Sequence, residues 1–551
     1  QNWPSPPPVL TIMGHVDHGK TTLLDTLRKS SIADGEAGGI TQSVGGFVYA
    51  PKKGAAITFI DTPGHSAFTA MRQTGVNAAD INVVVVAAED GVMPQTIEAL
   101  EIAQRSGLPL IVLITKIDKD GVSADESKRR IEGELLKHGV VSEDMGGEVP
   151  IIPVSAISGE GLDDFVEAAA LHAEILELKG PNKVPAEGLV LESSVERGQG
   201  VVTDVLVRWG RLKRADFVVA GEEWGRIKRI TNDKGKAVKF ADPSSPVRVL
   251  GFRSMPTAGV EVFAVESEAR AQEIVEYRQE MRRKQRLAND RVAAKEKAYM
   301  DRGKKHLLKR VRFAGPRTNN EKKDIDESED DTPKSLNIIF KGGTAGALNA
   351  IELCVSECIV KTGIQANLIR LETGEISSSD VLAAVDAGAI IYGFNTKITK
   401  EAKQEAKKHG VEIYVHKIIY KVQDDLLEKM SNLLPTVYEE RSLGKAEVLQ
   451  TFEINGSSRG KKLQINGMKV SDGKLEKNKL FRIKRGDTVI YDNLQAGSMK
   501  IFKDEASLVG KGGECGLQLL DELDSLGVKL EPQDMVECYE FVEVKRQSFE
   551  L

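Results

Sequence analysis

Val9-Leu10-Thr11-Ile12-Met13-Gly14-His15-Val16-Asp17-His18-Gly19-Lys20-Thr21-Thr22-Leu23-Leu24 is the stretch that decides the reading of this chain. An apolar run ends in a loop bracketed by Gly14 and Gly19, and a helical pattern follows through Arg28. Strand, glycine-bracketed loop, Lys-Thr, helix is the arrangement a polyphosphate needs. The glycines let backbone N–H groups turn inward, Lys20 reaches the outer phosphates, and the Thr21 hydroxyl binds Mg²⁺. Gly14, His15, Val16, Asp17, His18, Gly19, Lys20 and Thr21 are therefore the candidate phosphate-binding residues.

The other parts of a GTP site follow in chain order. Ile57-Thr58-Phe59-Ile60 reads as a strand ending in Asp61-Thr62-Pro63-Gly64. Asp61 is placed to hold the Mg²⁺ shell and the Gly64 N–H to bond the γ-phosphate, so that loss of the phosphate releases the loop. Upstream, Gly38-Gly39-Ile40-Thr41-Gln42 suits a mobile first switch, with Thr41 as the second hydroxyl on Mg²⁺. Val83–Ala88 and Leu110–Ile114 are unbroken apolar runs, each preceded by a helical pattern, as buried parallel strands are. The second run leads into Thr115-Lys116-Ile117-Asp118, whose last carboxylate can accept both N1–H and the exocyclic amine of guanine. Near Ser155, the Ala156 N–H can bond guanine O6. These elements in this order favour GTP over ATP.

The bulk numbers set wider bounds. A length of 551 residues suggests three to five domains at roughly 100–200 residues each. With 41% hydrophobic and 29% charged residues the composition is that of a soluble globular protein, and a net charge of −6 excludes a uniformly basic nucleic-acid binder. Four cysteines (Cys354, Cys358, Cys515, Cys538) make no disulfide framework. Cys354 and Cys358, one helical turn apart, read as buried helix residues. Nothing approaches the roughly 18 consecutive apolar residues of a membrane span. A start at Gln1 rather than Met points to removal of an upstream segment and of any targeting signal within it.

Gly-His-Val-Asp-His-Gly-Lys-Thr, Ala-Gly-Gly-Ile-Thr-Gln, Asp-Thr-Pro-Gly-His and Asp-Gly-Val-Met-Pro-Gln-Thr together resemble the translation initiation factor 2 family of bacteria and organelles. The resemblance runs from about Val9 to about Val544. It implies a ribosome-stimulated GTPase that places formylmethionyl initiator tRNA on the small ribosomal subunit and promotes joining of the large one, with GTP/GDP and Mg²⁺ as ligands. It implies that His65 positions the attacking water, that Val16 and Ile40 flank this water as a hydrophobic gate, and that Asp17 holds a monovalent cation. The partners implied are both ribosomal subunits, ribosomal RNA and the initiator tRNA, with no membrane and a monomer off the ribosome. One departure is Thr115, where the family usually has Asn; a hydroxyl replaces the amide's bracing only in part, as in Rho-type small GTPases. Together with the lengthened charged linker and the non-Met start, Thr115 favours a mitochondrial-matrix member over a bacterial cytoplasmic one. Two other readings remain: a GTP-dependent ribosome-assembly or rRNA-binding factor, and the cytosolic-type subunit-joining relative.

The expected fold class is multidomain, α/β plus β. A P-loop GTPase domain covers residues 1–180, a β-barrel domain 184–268, a charged helical linker or insertion 269–332, an α/β/α domain 333–421, a connecting helix 422–440, and a C-terminal, initiator-tRNA-binding β-barrel 441–551. Gly198-Gln199-Gly200 and Gly210-Arg211-Leu212 resemble the second-domain barrel of translational GTPases. Residues 277–312 hold 14 Lys/Arg against 4 Asp/Glu, which reads as a solvated linker helix or as a face for rRNA phosphates. In mitochondrial members of the family an insertion near here takes the place of initiation factor 1, and residues 300–332 are candidates for that role. In the last domain, residues 459–503 carry 12 Lys/Arg and 4 Asp/Glu, and residues 504–550 carry 4 and 12. By resemblance, Lys500, Phe502, Lys503, Glu514, Cys515, Gly516 and Met468 hold the formylmethionyl-adenylate end of the tRNA, through phosphate and stacking contacts. Met468 and Ile501 depart from the family, which often has Cys and a basic residue there. For Cys515, a buried structural thiol and a ligand contact both remain open.

Overall fold

The computed structural model describes residues 5–28, 39–51, 55–119, 123–181, 183–313, 335–434, 437–455, 462–486, 488–502, 504–519 and 530–544, with backbone alone for 290, 292–313, 437–439, 453–455, 462–464 and 543–544. The chain divides into two compact units, Gln1–Met430 and Ser431–Leu551.

The first unit opens with a six-stranded sheet in the order β2 (Gly45–Tyr49), β3 (Ile57–Asp61), β1 (Val9–Gly14), β4 (Ile81–Ala87), β5 (Leu110–Thr115), β6 (Ile151–Pro153). β2 runs antiparallel to β3, and the remaining neighbours are parallel. β1 and β4 are buried along their whole length because helices cover both faces. On one face Leu10, Ile12, Val83 and Val85 pack with Leu23 and Leu27 of α1 (Lys20–Arg28) and Phe165 of α5 (Leu162–Ile175). On the other, Met13, Val84 and Val86 pack with residues of α2 (Thr69–Ala78), α3 (Pro94–Ser106) and α4 (Ala124–Leu136), among them Val76, Leu100 and Ile131. Each fully buried aliphatic side chain contributes about 1.5–3 kcal/mol, so the sheet is a stiff platform. Parallel strands also present their C-terminal ends at one edge, where ligands of such sheets bind.

A seven-stranded antiparallel sheet follows, ordered Phe217–Ala220, Glu261–Val265, Glu187–Glu196, Gly200–Trp209, Pro246–Phe252, Glu223–Asn232, Ala237–Val238, and pairing of the first with Glu223–Asn232 closes it into a barrel. α6 (Glu268–Phe313) leaves the barrel, seated by Ala271 and Val275 against Val219. Arg278 donates to the Gly221 carbonyl at 2.8 Å, and Arg282 pairs with Glu222 at 2.9 Å. Residues 314–332, the rest of the expected insertion, lie outside the described residues.

The unit ends in a four-stranded parallel sheet ordered Gln365–Thr373, Ser335–Gly342, Ile390–Phe394, Ile413–His416. α7 (Ala345–Thr362), α8 (Ser378–Ala387) and α9 (Lys400–His409) flank it, and α10 (Ile419–Ser431) follows. Gln365–Thr373 and α8 were not singled out from the sequence, because the strand has little buried surface to mark it. Cys354 and Cys358 are buried in α7. The connecting helix expected over 422–440 is displaced: α10 begins at Ile419 and ends at Ser431, and Val437 already opens a strand. The intervening Pro435 cannot continue a helix.

The second unit is an antiparallel barrel ordered Val437–Asn455, Met535–Val544, Leu480–Arg485, Thr488–Ile501, Glu514–Leu519, Lys462–Glu476, Leu508–Gly510, closed by pairing of Val437–Asn455 with Lys462–Glu476. Val448, Met468, Phe481, Met499, Cys515, Leu517 and Val536 fill its core. Among the described residues, no helix is long and apolar enough to cross a membrane.

Candidate functional site

Five segments at the C-terminal edge of the first sheet build one pocket of about 380 Å³. The loop after β1 begins at Gly14, with φ +146°, where a Cβ would stand 2.4 Å from the Val85 carbonyl oxygen. No other residue fits that exit. Lys20, the first residue of α1, is buried, and its amine donates to the His15 carbonyl of its own loop. Burial holds the Lys20 amine down to about 8, with Asp61 opposing the shift. A buried ammonium satisfied by a neutral carbonyl is well suited to exchange that acceptor for a phosphate oxygen. His18 is fully buried, its Nδ1 3.3 Å from the Val85 carbonyl, and desolvation lowers its pKa to about 4.

The three candidate Mg²⁺ ligands converge. Thr21 Oγ1 lies 2.7 Å from Thr41 Oγ1, and Thr41 Oγ1 lies 3.5 Å from Asp61 Oδ2. Two hydroxyls beside one carboxylate suit an ion that keeps several waters and takes phosphate oxygens as its other ligands. Among the described residues no group of three His, Cys, Asp or Glu could hold a metal.

The loop after β3 lies directly on the phosphate loop. A Cβ on Gly64 would stand 2.7 Å from Lys20 Nζ and 3.0 Å from the Val16 nitrogen, so a side chain here would press on the phosphate loop. His65 caps the short turn Ser66–Phe68, its Nδ1 accepting from the Ala67 N–H at 3.0 Å. In the neutral ring this hydrogen bond places the proton on Nε2. The ring is 7% exposed, and desolvation followed by the Arg72 charge lowers its pKa to about 4. Val16, Asp17 and Ile40 line the same pocket as His65.

At the far end, Asp118 Oδ1 accepts from Ser155 Oγ at 2.7 Å, and Ser155 Oγ accepts in turn from the Ser158 N–H at 3.1 Å. Lys116 is at φ +61° and pairs with Glu89 at 2.9 Å, and Ala156 lines the pocket. Thr115 Oγ1 donates to the His18 carbonyl at 2.7 Å, tying this loop to the phosphate loop. The Thr115 hydroxyl thus braces this loop through one side-chain hydrogen bond to the phosphate loop.

Several residues around the pocket carried no signal in the sequence. Arg72, 1% exposed, donates to the carbonyls of Pro63, Gly64 and His65 and pairs with Glu98 at 2.6 Å. A lone basic residue on an amphipathic helix reads as solvated. Tyr420, the second residue of α10, meets the His65 ring edge-on with centroids 4.3 Å apart. Gln42 donates to the Lys417 carbonyl at 2.8 Å and accepts from the Ile419 N–H at 3.2 Å. Glu192 of the barrel accepts from the Val44 N–H at 3.2 Å, and burial pushes its carboxyl up to about 7. The contacts of Gln42, Glu192 and Tyr420 join residues up to 377 positions apart in the chain.

In the second unit the candidate RNA-end residues split. Register pairs Lys500 with Gly516, Met468 with Cys515 and Lys469 with Glu514 on three adjacent strands. Strand alternation then separates them: Glu514 is exposed, while Met468 and Cys515 are 1% and 4% exposed within the barrel core. Met468 and Cys515 thus pack in the barrel core, which for Cys515 matches the buried structural thiol of its two open readings. Ile501 is partly buried against the same core. Phe502, at φ +55°, is fully exposed. Lys503 lies outside the described residues.

Three family profiles match the chain: Elongation factor Tu GTP binding domain over residues 7–174, Elongation factor G domain 2 over 185–265, and Translation-initiation factor 2 over 314–427. The human protein "Translation initiation factor IF-2, mitochondrial" is 38% identical over 98% of this chain and 74% of its own length. The "Translation initiation factor IF-2" of Beijerinckia indica is 41% identical over 98% of this chain and 48% of its own. The chain thus spans about half the length of such bacterial relatives. Among solved structures, GDP-bound aIF5B from Aeropyrum pernix aligns over 97% of this chain and 92% of its own at 24% identity and a TM-score of 0.47.

Proposed function

The chain belongs to the translation initiation factor 2 family, and from that premise we propose that it is a GTP-dependent initiation factor. It stabilises formylmethionyl initiator tRNA on the small ribosomal subunit, promotes joining of the large one, and then hydrolyses GTP. The observation that carries this reading is the convergence of Lys20, Thr21, Thr41 and Gly64 with Asp118 and Ala156 around a single pocket, with Asp61 beside Thr41 and Ser155 bonded to Asp118. Triphosphate and guanine chemistries are thereby provided at the two ends of one ligand.

Lys20 takes the outer phosphates, and Gly64 offers its N–H to the γ-phosphate. Thr21, Thr41 and Asp61 would hold Mg²⁺, which neutralises phosphate charge. Asp17 is the proposed holder of a monovalent cation. His65, with its proton on Nε2, orients the attacking water by donating to it; in this tautomer it has no free ring nitrogen to act as base. Val16 and Ile40 gate its approach. Lys500, Phe502, Glu514 and Gly516 form the proposed contact for the tRNA end. The proposed setting is the mitochondrial matrix, supported by Thr115 in place of Asn.

Toeprinting on small subunits with formylated and unformylated initiator tRNA tests this reading. A GTP-dependent preference for the formylated form is expected. Equal toeprints would replace it with the cytosolic-type subunit-joining role, and no toeprint with either would favour ribosome assembly.

A further inference from the structure

Arg72 is the most thoroughly buried charged side chain beside the pocket, and its contacts exceed what helix packing requires. Glu98 alone would neutralise it, at 2.6 Å, with Thr69 Oγ1 3.0 Å from Nη2. Its other nitrogen instead spans three consecutive carbonyls, 3.2 Å from Pro63 O, 3.2 Å from Gly64 O and 2.6 Å from His65 O. We infer that Arg72 is a positioning residue for GTP hydrolysis: its guanidinium sets the peptide planes of Pro63, Gly64 and His65. The inference rests on the functional reading above and adds to it.

In a trans peptide the C=O and N–H point in opposite directions. With the Pro63 carbonyl turned onto Arg72, the Gly64 N–H of the same peptide faces away from it. A Cβ on Gly64 would stand 2.7 Å from Lys20 Nζ and 3.0 Å from the Val16 nitrogen, so this peptide lies against the phosphate loop. With the His65 carbonyl held as well, the backbone that aims the imidazole is fixed from α2. The planar guanidinium suits this task, because a lysine ammonium is a point charge without the rigid fork. The ionisable groups facing His65 are Arg72 with its partner Glu98, Tyr420 from α10, and Asp17 and Lys20 across the pocket. Arg72 is the charge that bears on the ring most directly.

Arg72→Lys and Arg72→Gln separate geometry from charge. For both, GDP binding should be unchanged. GTP affinity should fall about tenfold, as for one lost charge-assisted hydrogen bond. Single-turnover hydrolysis on ribosomes should fall about 10²-fold, the scale of a 1 Å misplacement. In a histidine NMR titration the His65 midpoint should rise in Arg72→Gln and stay low in Arg72→Lys. If Arg72→Gln does not fold, the double variant Arg72→Met/Glu98→Leu removes the buried pair together and should show the same losses and rise. Parental hydrolysis and parental GTP-to-GDP preference in folded Arg72→Lys would overturn the inference, as would an unmoved His65 midpoint in the neutral variants. If His65→Ala itself hydrolysed GTP normally, the functional reading would fail, while nucleotide preference and titration would still decide Arg72.

Discussion

The nucleotide pocket and the rim of the C-terminal barrel were both read from short motifs, yet one converges and the other divides. In the pocket the motifs after β1, β3, β5 and β6 follow the ends of parallel strands, and the motif at residues 39–42 leads into antiparallel β2 at the same edge, so one sheet edge collects them all. Several polar groups also have a defined partner: Thr21 with Thr41, Asp118 with Ser155, Thr115 with the His18 carbonyl. At the barrel, neighbouring residues of one motif face opposite ways. Glu514 is exposed and Cys515 is core. A loop motif transfers as a unit, whereas a strand motif transfers only at every second residue.

The largest effect should come from the loop side. His65→Ala is expected to lower ribosome-stimulated, single-turnover hydrolysis about 10³-fold while GTP binding persists, and an unchanged rate would break the assignment. Asp118→Asn should lower guanine-nucleotide affinity about 10²-fold and favour xanthine nucleotides in competition binding; retained guanine preference would misplace the base. On the barrel side, Met468→Ala should cost about 2–5 kcal/mol of that unit's stability in denaturant melts. Phe502→Ala should leave the melt alone and weaken binding of the formylated acceptor end by about 1–3 kcal/mol. If Met468→Ala weakened tRNA binding without a change in melting, the inward-outward division would be wrong.

Acid should separate the units further. The second unit contains no histidine, whereas burial lowers His18 and His65 of the first to about 4. An unfolded imidazole takes its proton near 6.5, so between pH 6.5 and 4 the unfolded first unit binds more protons. Its stability therefore falls as pH falls, on the order of 3 kcal/mol for fully buried His18. Glu192, raised to about 7, opposes this slope by gaining stability as it protonates. Glu192→Gln should therefore steepen the loss between pH 7 and 5, measured by the first unit's melting temperature. The smallest effect expected is that of Thr115→Ala, about 1 kcal/mol for one hydrogen bond, read as weaker GTP binding.

What was legible in the sequence was what is local. Gly14–Thr21, Asp61–His65 and Thr115–Asp118 each carry their geometry within a few residues of a strand end. Gln42, Glu192 and Tyr420 act across domains, and no spacing in the chain connects Gln42 with Ile419; Arg72 acts within its own domain, through backbone carbonyls that no motif marks. Thr115 looked like a loss because the motif was compared by residue type; its hydroxyl reaches His18 all the same. Gln365–Thr373 was missed for a different reason, since a half-exposed edge strand has neither an apolar run nor strict alternation.

The start of α10 touches both switch loops, through Gln42 on one and His65 against Tyr420 on the other. A hydrogen bond contributes about 1 kcal/mol and an aromatic pair about 0.5–1.5 kcal/mol, so neither contact alone fastens a helix. Acting together their equilibrium constants multiply, and the helix start becomes a coincidence detector. α10, Ile419–Ser431, is the element on which the two contacts meet.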